Sequence, residues 1–207
     1  MSSCILLATN NEAKVLRFRK LIQYASPKTT LLTPKEADIS SVDVEETGHT
    51  LLENATLKAR AYSRLTSLPI LANDTGFFVK GEGFVLAPKR TALGIHSDSR
   101  INSKEIAEAM LAFWKSIARN HGGQVDAAWI ESFILIHPDG TLHATESRRE
   151  IILTDQEFGH THPDMPLRSL YISKLTNKPA VMHTEEEELL EMRPVIDALT
   201  KLVITLS

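Results

Sequence analysis

The sequence predicts a mixed α/β protein, and three stretches carry that prediction. The apolar run Cys4–Ala8 (CILLA) passes through the polar Thr9-Asn10-Asn11 directly into a segment of helical spacing. Leu68–Ala72 (LPILA) is a second short apolar run, ended by Asn73-Asp74-Thr75-Gly76. Residues 127–137 and 141–153 read as two long strands around Pro138-Asp139-Gly140, and an Asp-Gly pair between such runs is a hairpin signal. Short apolar runs bounded by turn residues suit buried strands, whereas a 3.6-residue apolar spacing suits a helix with one face on a core.

Taken in order, the first helix is predicted over 12–24, with Val15, Leu16, Phe18, Leu21 and Ile22 as its apolar side. A strand follows near 30–32, then an acidic, polar loop over 38–48 and a helix over 50–65. Strands are predicted at 68–72 and 77–80, separated by the Asn73–Gly76 turn. Residues 80–100 hold Gly81, Gly83, Pro88 and Gly94 and read as irregular. A helix over 103–119 buries Ile106, Met110, Leu111, Phe113 and Trp114; Trp114 and Trp129 are both predicted core residues. No periodicity stands out over 155–177. Residues 184–202 are helical at both ends, and Pro194 starts a new helix there because it lacks the amide proton a continuous helix needs.

Bulk composition narrows the function classes. With 207 residues the chain is long enough for one domain with a full core, or two lobes. Net charge is -3, from 23 basic and 26 acidic residues, so there is no basic excess of the kind a nucleic acid polymer attracts. Cys4 is the single cysteine, which excludes an internal disulfide and a thiolate metal cage; it is expected to be buried in the first strand. No apolar run approaches ~18 residues, so no membrane span is expected. The opening MSSCILLATNN is too short and wrongly flanked for a signal peptide, and a cytoplasmic location is expected.

Three polar stretches bear chemistry. Thr9–Lys14 lies between a strand and a helix, where free amides and the helix dipole suit an anion; Asn11 and Lys14 add a donor and a charge. Glu45-Glu46-Thr47-Gly48, with Glu53, Asn54 and Lys58 beyond it, offers the hard carboxylate oxygens Mg²⁺ prefers. Asn54 and Lys58 are four apart and share a helix face. Asp74 sits after an apolar strand, where a carboxylate can hold a metal or take a proton from water. Singly, these read as a capped helix start, a solvated acidic loop and an Asx turn.

Their order and spacing together resemble the inosine/xanthosine triphosphate pyrophosphatase family, whose members hydrolyse non-canonical purine nucleotides. The family pattern T-G-N-x-x-K corresponds to Thr9-Asn10-Asn11-Glu12-Ala13-Lys14, with Asn10 in place of Gly. E-E-T-G-x-T-x-x-E-N-A-x-x-K-A is matched at every fixed position by EETGHTLLENATLKA, Glu45 to Ala59. L-P-x-x-A-D-D-S-G corresponds to LPILANDTG, Leu68 to Gly76.

The resemblance implies an elongated two-lobed mixed-sheet fold with a central cleft, one domain over 1–207, and a homodimer. Phosphate and metal elements would lie in 4–80, base-recognition and dimer elements in about 81–185, and C-terminal helices in about 184–205. It implies Mg²⁺-dependent cleavage between the α- and β-phosphates of a nucleoside triphosphate, giving a monophosphate and pyrophosphate. Carried over residue by residue, Glu45 and Asp74 would bind metal, and Asp74 would act as general base. Thr9, Asn11, Lys14, Lys58 and Thr75 would hold phosphates; Glu53, Asn54, Phe158, Gly159 and Arg193 would be further substrate contacts.

The chain also departs from the pattern. Asn10 replaces a turn Gly, a position where Asn tolerates left-handed backbone. Asn73 replaces the first Asp of an acidic pair. Only Pro88 fits the family's G-G-x-P-G-x-Y-S-A-R-Y segment. Phe158-Gly159 is followed by His160-Thr161-His162-Pro163 where the family has Tyr-Asp-Pro, and Met192 precedes Arg193 where the family has His. A thioether cannot donate to a purine carbonyl, so the base preference is predicted to differ from inosine and xanthosine. The alternatives are a nucleotide-binding regulatory module with weak or no turnover, or a hydrolase of a modified or non-purine nucleotide. His160 and His162, with Asp164 nearby, also form a candidate metal pair, against the simpler reading of an exposed polar loop.

Overall fold

Strand β1 (Ser3–Leu7) is followed by helix α1 (Glu12–Ala25), strand β2 (Thr29–Leu32) and helix α2 (Leu51–Ser63). The computed structural model describes residues 3–94, 103–163 and 165–206. Each helix start is built by its own sequence. The Asn11 side chain accepts from the Lys14 amide at α1, and the Thr50 side chain accepts from the Glu53 amide at α2. Between β2 and α2 the chain runs as a polar loop, as predicted.

Strand β3 spans Ile70–Val79 without interruption. This corrects the expectation of two strands separated by a turn at Asn73–Gly76. The turn-prone residues are held extended because they lie inside a strand that has a neighbour on either side in the sheet. Its start pairs in parallel with β1, and its end pairs antiparallel with β4 (Gly83–Val85). A Cβ on Gly76 would lie 2.5 Å from the Phe84 ring, so glycine permits this close approach.

The chain divides into two compact units. One comprises Met1–Thr75, Glu131–Ser147 and Arg193–Ser207. Its strands run in the order β2-β1-β3-β5-β6, where β5 is Gln124–Ile136 and β6 is Leu142–Thr154. The predicted turn joins β5 to β6: the Gly140 amide donates to the His137 carbonyl at 2.9 Å, and Gly140 takes a φ of 88°. Alternation along the strands sorts side chains onto two faces. Leu6, Ala8, Ile70 and Ala72 pack with Ala55, Ala59 and Tyr62 of α2. The opposite face meets α1, where Phe18 stacks edge-on against Phe133 of β5 at 5.9 Å. Cys4 shares the α2 parity but is exposed, contrary to expectation, because that core begins at Leu6.

The other unit comprises Gly76–Ile130 and Arg148–Met192. It holds α3 (Pro88–Leu93), α4 (Ser103–Asn120), β7 (Tyr171–Ser173), β8 (Lys178–Pro179) and α5 (Glu185–Glu191). Trp114 of α4 is 1% exposed and Trp129 packs on Phe77 with ring centroids 4.5 Å apart, so both are core as predicted. The stretch read as irregular after Lys80 contains β4 and α3, elements too short to show a period; residues 95–102 lie outside the described residues. Likewise 155–177 contains a 3₁₀ turn over Pro166–Leu170 and the three-residue β7. Helix α6 (Arg193–Val203) begins one residue before Pro194, which sits in its first turn, where a missing amide proton is harmless.

Candidate functional site

The parity of β3 decides what its polar residues meet. Asn73 and Asp74 are neighbours, both less than a tenth exposed, and they face opposite sides of the sheet. Asp74 follows Ile70 and Ala72 onto the α2 side. There the Lys58 ammonium donates to Asp74 Oδ1 at 3.0 Å, and the Asn54 amide donates to Asp74 Oδ2 at 3.3 Å. The four-residue spacing puts Asn54 and Lys58 on one helix face, as the helix period predicted, and both meet the same carboxylate. The Asn54 carbonyl accepts from the Gly48 amide at 2.8 Å, so the E-E-T-G loop is tied to the same point. A Cβ on Gly48 would lie 2.7 Å from that Asn54 oxygen, which leaves room for no side chain.

Lys58 also donates to Glu46 Oε1 at 3.0 Å. Glu45, the expected metal ligand, is exposed, and it is Glu46 that reaches the cluster. The loop has no regular period, so sequence spacing cannot tell which of two adjacent acids points inward.

On the α1 side, Asn73 Oδ1 accepts from the Lys14 ammonium at 3.2 Å. Lys14 is lowered from its ordinary value to about 8, first by burial and then by the charge of Lys58, against the opposing pull of Asp74, Glu131 and Glu46. The Asn73 amide nitrogen donates to Thr75 Oγ1 at 3.2 Å and to Glu131 Oε2 at 3.4 Å. Arg17 holds Glu131 with both guanidinium nitrogens, at 2.8 and 2.5 Å. Sequence reasoning passed over Glu46, Glu131 and Arg17. The signal for Glu131 was available: it is the one acid in the mostly apolar stretch 127–136 of β5, and the structure buries it completely.

The remaining candidates separate. Thr9 and Asn11 shape the turn before α1, with the Asn11 amide donating to Thr9 Oγ1 at 3.2 Å. Asn10 donates to Ser41 Oγ at 2.7 Å and needs no left-handed backbone; among the described residues only Asp38 and Asn177 are non-glycines at positive φ. The Glu53 carboxylate accepts the His49 amide at 2.6 Å and serves the helix start. Phe158 and Gly159 belong to the second unit, where the Phe158 amide donates to the Ser169 carbonyl at 2.8 Å. Arg193 is on the exposed side of α6, paired with Asp197 at 2.9 Å, and Met192 is buried. His160 and His162 are exposed, and Asp164 lies outside the described residues. Among the described residues no three His, Cys, Asp or Glu side chains form a metal cluster.

Zn²⁺ in a structural site wants four protein ligands, whereas Mg²⁺ is held by one or two carboxylates completed by water and phosphate oxygens. Asp74 and Glu46 supply the latter donor set. Their two negative charges are matched by Lys14 and Lys58, so the cluster is close to neutral before any ligand arrives. A triphosphate on such a cluster needs further positive charge, and a hard divalent cation fits that need.

This chain is similar to known proteins. A dITP/XTP pyrophosphatase of Symbiobacterium thermophilum is 44% identical over 79 residues, 38% of this chain and 38% of that relative's length. One from Streptomyces avermitilis is 33% identical over 147 residues, covering 70% of this chain and 68% of the relative. Among solved structures, a HAM1 protein from Coxiella burnetii superposes with a TM-score of 0.74 at 17% identity, covering 98% of this chain and 99% of the other. A nucleoside-triphosphatase / dITP/XTP pyrophosphatase from Mycobacterium abscessus gives a TM-score of 0.66 at 20% identity, covering 98% of each. At such identities the structural likeness speaks for the fold, which is the mixed α/β fold expected from the sequence. The model of the Ham1 family matches residues 5–154, a stretch that runs from within β1 to the end of β6 and holds every polar residue of the β3 cluster, and this chain belongs to that family.

Proposed function

We propose that the chain is a Mg²⁺-dependent nucleoside triphosphate pyrophosphatase that releases a nucleoside monophosphate and pyrophosphate. The observation that carries this reading is the convergence of Lys58 and Asn54 on Asp74, with Lys58 also bridging to Glu46 and Lys14 on the adjacent Asn73. The names of the relatives, dITP/XTP pyrophosphatases, agree with it.

Phosphoryl transfer asks for charge neutralisation and positioning more than for covalent help. Lys14 and Lys58 and the amides at the start of α1 would bind phosphate oxygens. Asp74, with Glu46 or Glu45, would hold Mg²⁺. The bound cation would supply positive charge to the phosphates. Asp74 would orient the attacking water and take its proton. Asn54 keeps the Asp74 carboxylate in place, and the Gly48 amide fixes Asn54 by occupying its carbonyl. Thr9, Asn11 and Thr75 complete the polar lining.

Base preference is the finer part of the proposal. Met192 is buried and offers no donor, and Arg193 is engaged by Asp197. These features favour a base other than hypoxanthine or xanthine. Assembly as a homodimer belongs to the same reading, and light scattering decides it.

The test is a panel of canonical and modified nucleoside triphosphates with Mg²⁺, following pyrophosphate and monophosphate together. Turnover of at least one nucleotide is expected, falling about 10²–10⁴-fold in Asp74→Asn. The reading is overturned if no nucleotide is cleaved at high enzyme concentration, or if Asp74→Asn keeps full activity.

A further inference from the structure

Glu131 stands out among the polar groups the proposed reaction does not use. It interrupts the apolar end of β5, its residue is 0% exposed, and its neighbours Phe133, Ile134 and Leu135 are equally buried. A carboxylate in such a place is unfavourable unless it is paired and hydrogen-bonded. Arg17 of α1 provides the pairing with two nitrogens. The third contact, from the Asn73 amide nitrogen, links it to the phosphate cluster.

We propose that Glu131 is a positioning residue for the phosphate site: anchored by Arg17, it fixes the Asn73 amide so that its carbonyl oxygen faces the Lys14 ammonium. The proposal rests on the function proposed above for the identity of the ligand, a pyrophosphate-bearing anion. An ionised carboxylate only accepts hydrogen bonds and an ammonium only donates them. Asn73 lies between one of each. With its nitrogen toward Glu131 at 3.4 Å and its oxygen toward Lys14 at 3.2 Å, both neighbours are satisfied. The flipped amide would set oxygen against carboxylate and nitrogen against ammonium. Thr75 Oγ1 adds a second acceptor on the nitrogen side, at 3.2 Å. Lys14 is thereby held in the first turn of α1, next to the Thr9–Asn11 turn. The charge logic also explains why an amide stands at this position. An Asp there would hold Lys14 equally well but would face the Glu131 carboxylate at hydrogen-bond distance.

This predicts a reciprocal rescue. Binding of inorganic pyrophosphate, the product that is not turned over, is measured by calorimetry in Mg²⁺ with no nucleotide present, so that the readout is affinity and not activity. Asn73→Asp is expected to weaken binding about tenfold or more, and Glu131→Gln a few-fold, while the double variant returns to within about threefold of wild type. In the double variant a glutamine amide donates to the new Asp, restoring both contacts. Losses that multiply, with no rescue, overturn the proposal. Exchange of the Asn73 side-chain amide protons in the ligand-free protein, followed by NMR, gives a second readout. Glu131→Gln is expected to speed that exchange, and an unchanged rate also overturns the proposal. If the exchange speeds up but wild type binds no pyrophosphate, the amide orientation stands and the phosphate reading of the site falls. Should Glu131→Gln fail to fold, Asn73→Leu removes the Lys14 acceptor while leaving the Arg17–Glu131 pair; unchanged pyrophosphate binding there counts against the proposal.

Discussion

Lys14 offers the most quantitative test of the phosphate site, because its charge is set by the fold. Burial and the neighbouring Lys58 lower its titration from 10.5 to about 8. In the free protein the ammonium therefore begins to discharge in mildly alkaline solution. A bound phosphate reverses that by stabilising the charged form, so binding above pH 8 must take up a proton. At pH 8.5 roughly three-quarters of the free protein would have Lys14 neutral, and binding would take up about 0.75 of a proton. Affinity for a triphosphate should fall by up to about tenfold per pH unit between 8.5 and 9.5. Calorimetry in two buffers of different ionisation enthalpy measures the proton directly, in a range where triphosphates themselves no longer titrate. Lys14→Arg should abolish the uptake, since a guanidinium stays charged. Binding that is flat from pH 7 to 9.5, or uptake that survives Lys14→Arg, refutes the assignment. The same shift makes a stability claim. The folded pKa lies below the unfolded one, so the penalty is complete below pH 8 and is relieved as pH rises from 8 to 10.5. A shift of that size corresponds to at most ~3 kcal/mol, an upper limit because the side chain is only partly buried.

Two further predictions concern the scaffold. Glu191→Leu removes, from a nearly solvent-free place, the carboxylate that meets Arg149 at 2.9 Å and accepts from the Tyr171 hydroxyl at 3.0 Å. The loss should be about 3–5 kcal/mol, or on the order of 6–20 °C in Tm; a loss under about 1 kcal/mol by urea denaturation contradicts the buried network. Burial and the Glu191 charge also push the Tyr171 hydroxyl well above its usual range, so no tyrosinate signal is expected from it in mild alkali. Gly48→Ala drives a Cβ into the Asn54 oxygen, so Asn54 must leave Asp74. A fall of about 10–100-fold in kcat/KM is expected, and unchanged kinetics would remove the Gly48–Asn54 link from the mechanism.

What the sequence determined by itself is local. The strand, turn and helix at Cys4–Tyr24 follow from apolar spacing and Asn11 capping. The Asn54–Lys58 pair follows from the helix period, and the Pro138–Gly140 hairpin from turn chemistry. These depend on residues within one or two turns of each other, so a linear reading reaches them. Tertiary structure decided the rest. Asn73–Gly76 looks like a turn, yet it lies inside one continuous strand seated between β1 and β5 and stays extended. That single fact sends Asn73 and Asp74 to opposite faces and gives each its own lysine. The choice of Glu46 over Glu45 lies in a loop without period. The link of Glu131 to Asn73, 58 positions away, and to Arg17, 114 positions away, exists only because β5 is seated beside β3. No pattern in a linear chain encodes such a register, because it is fixed by which strands pair and which helices cover them.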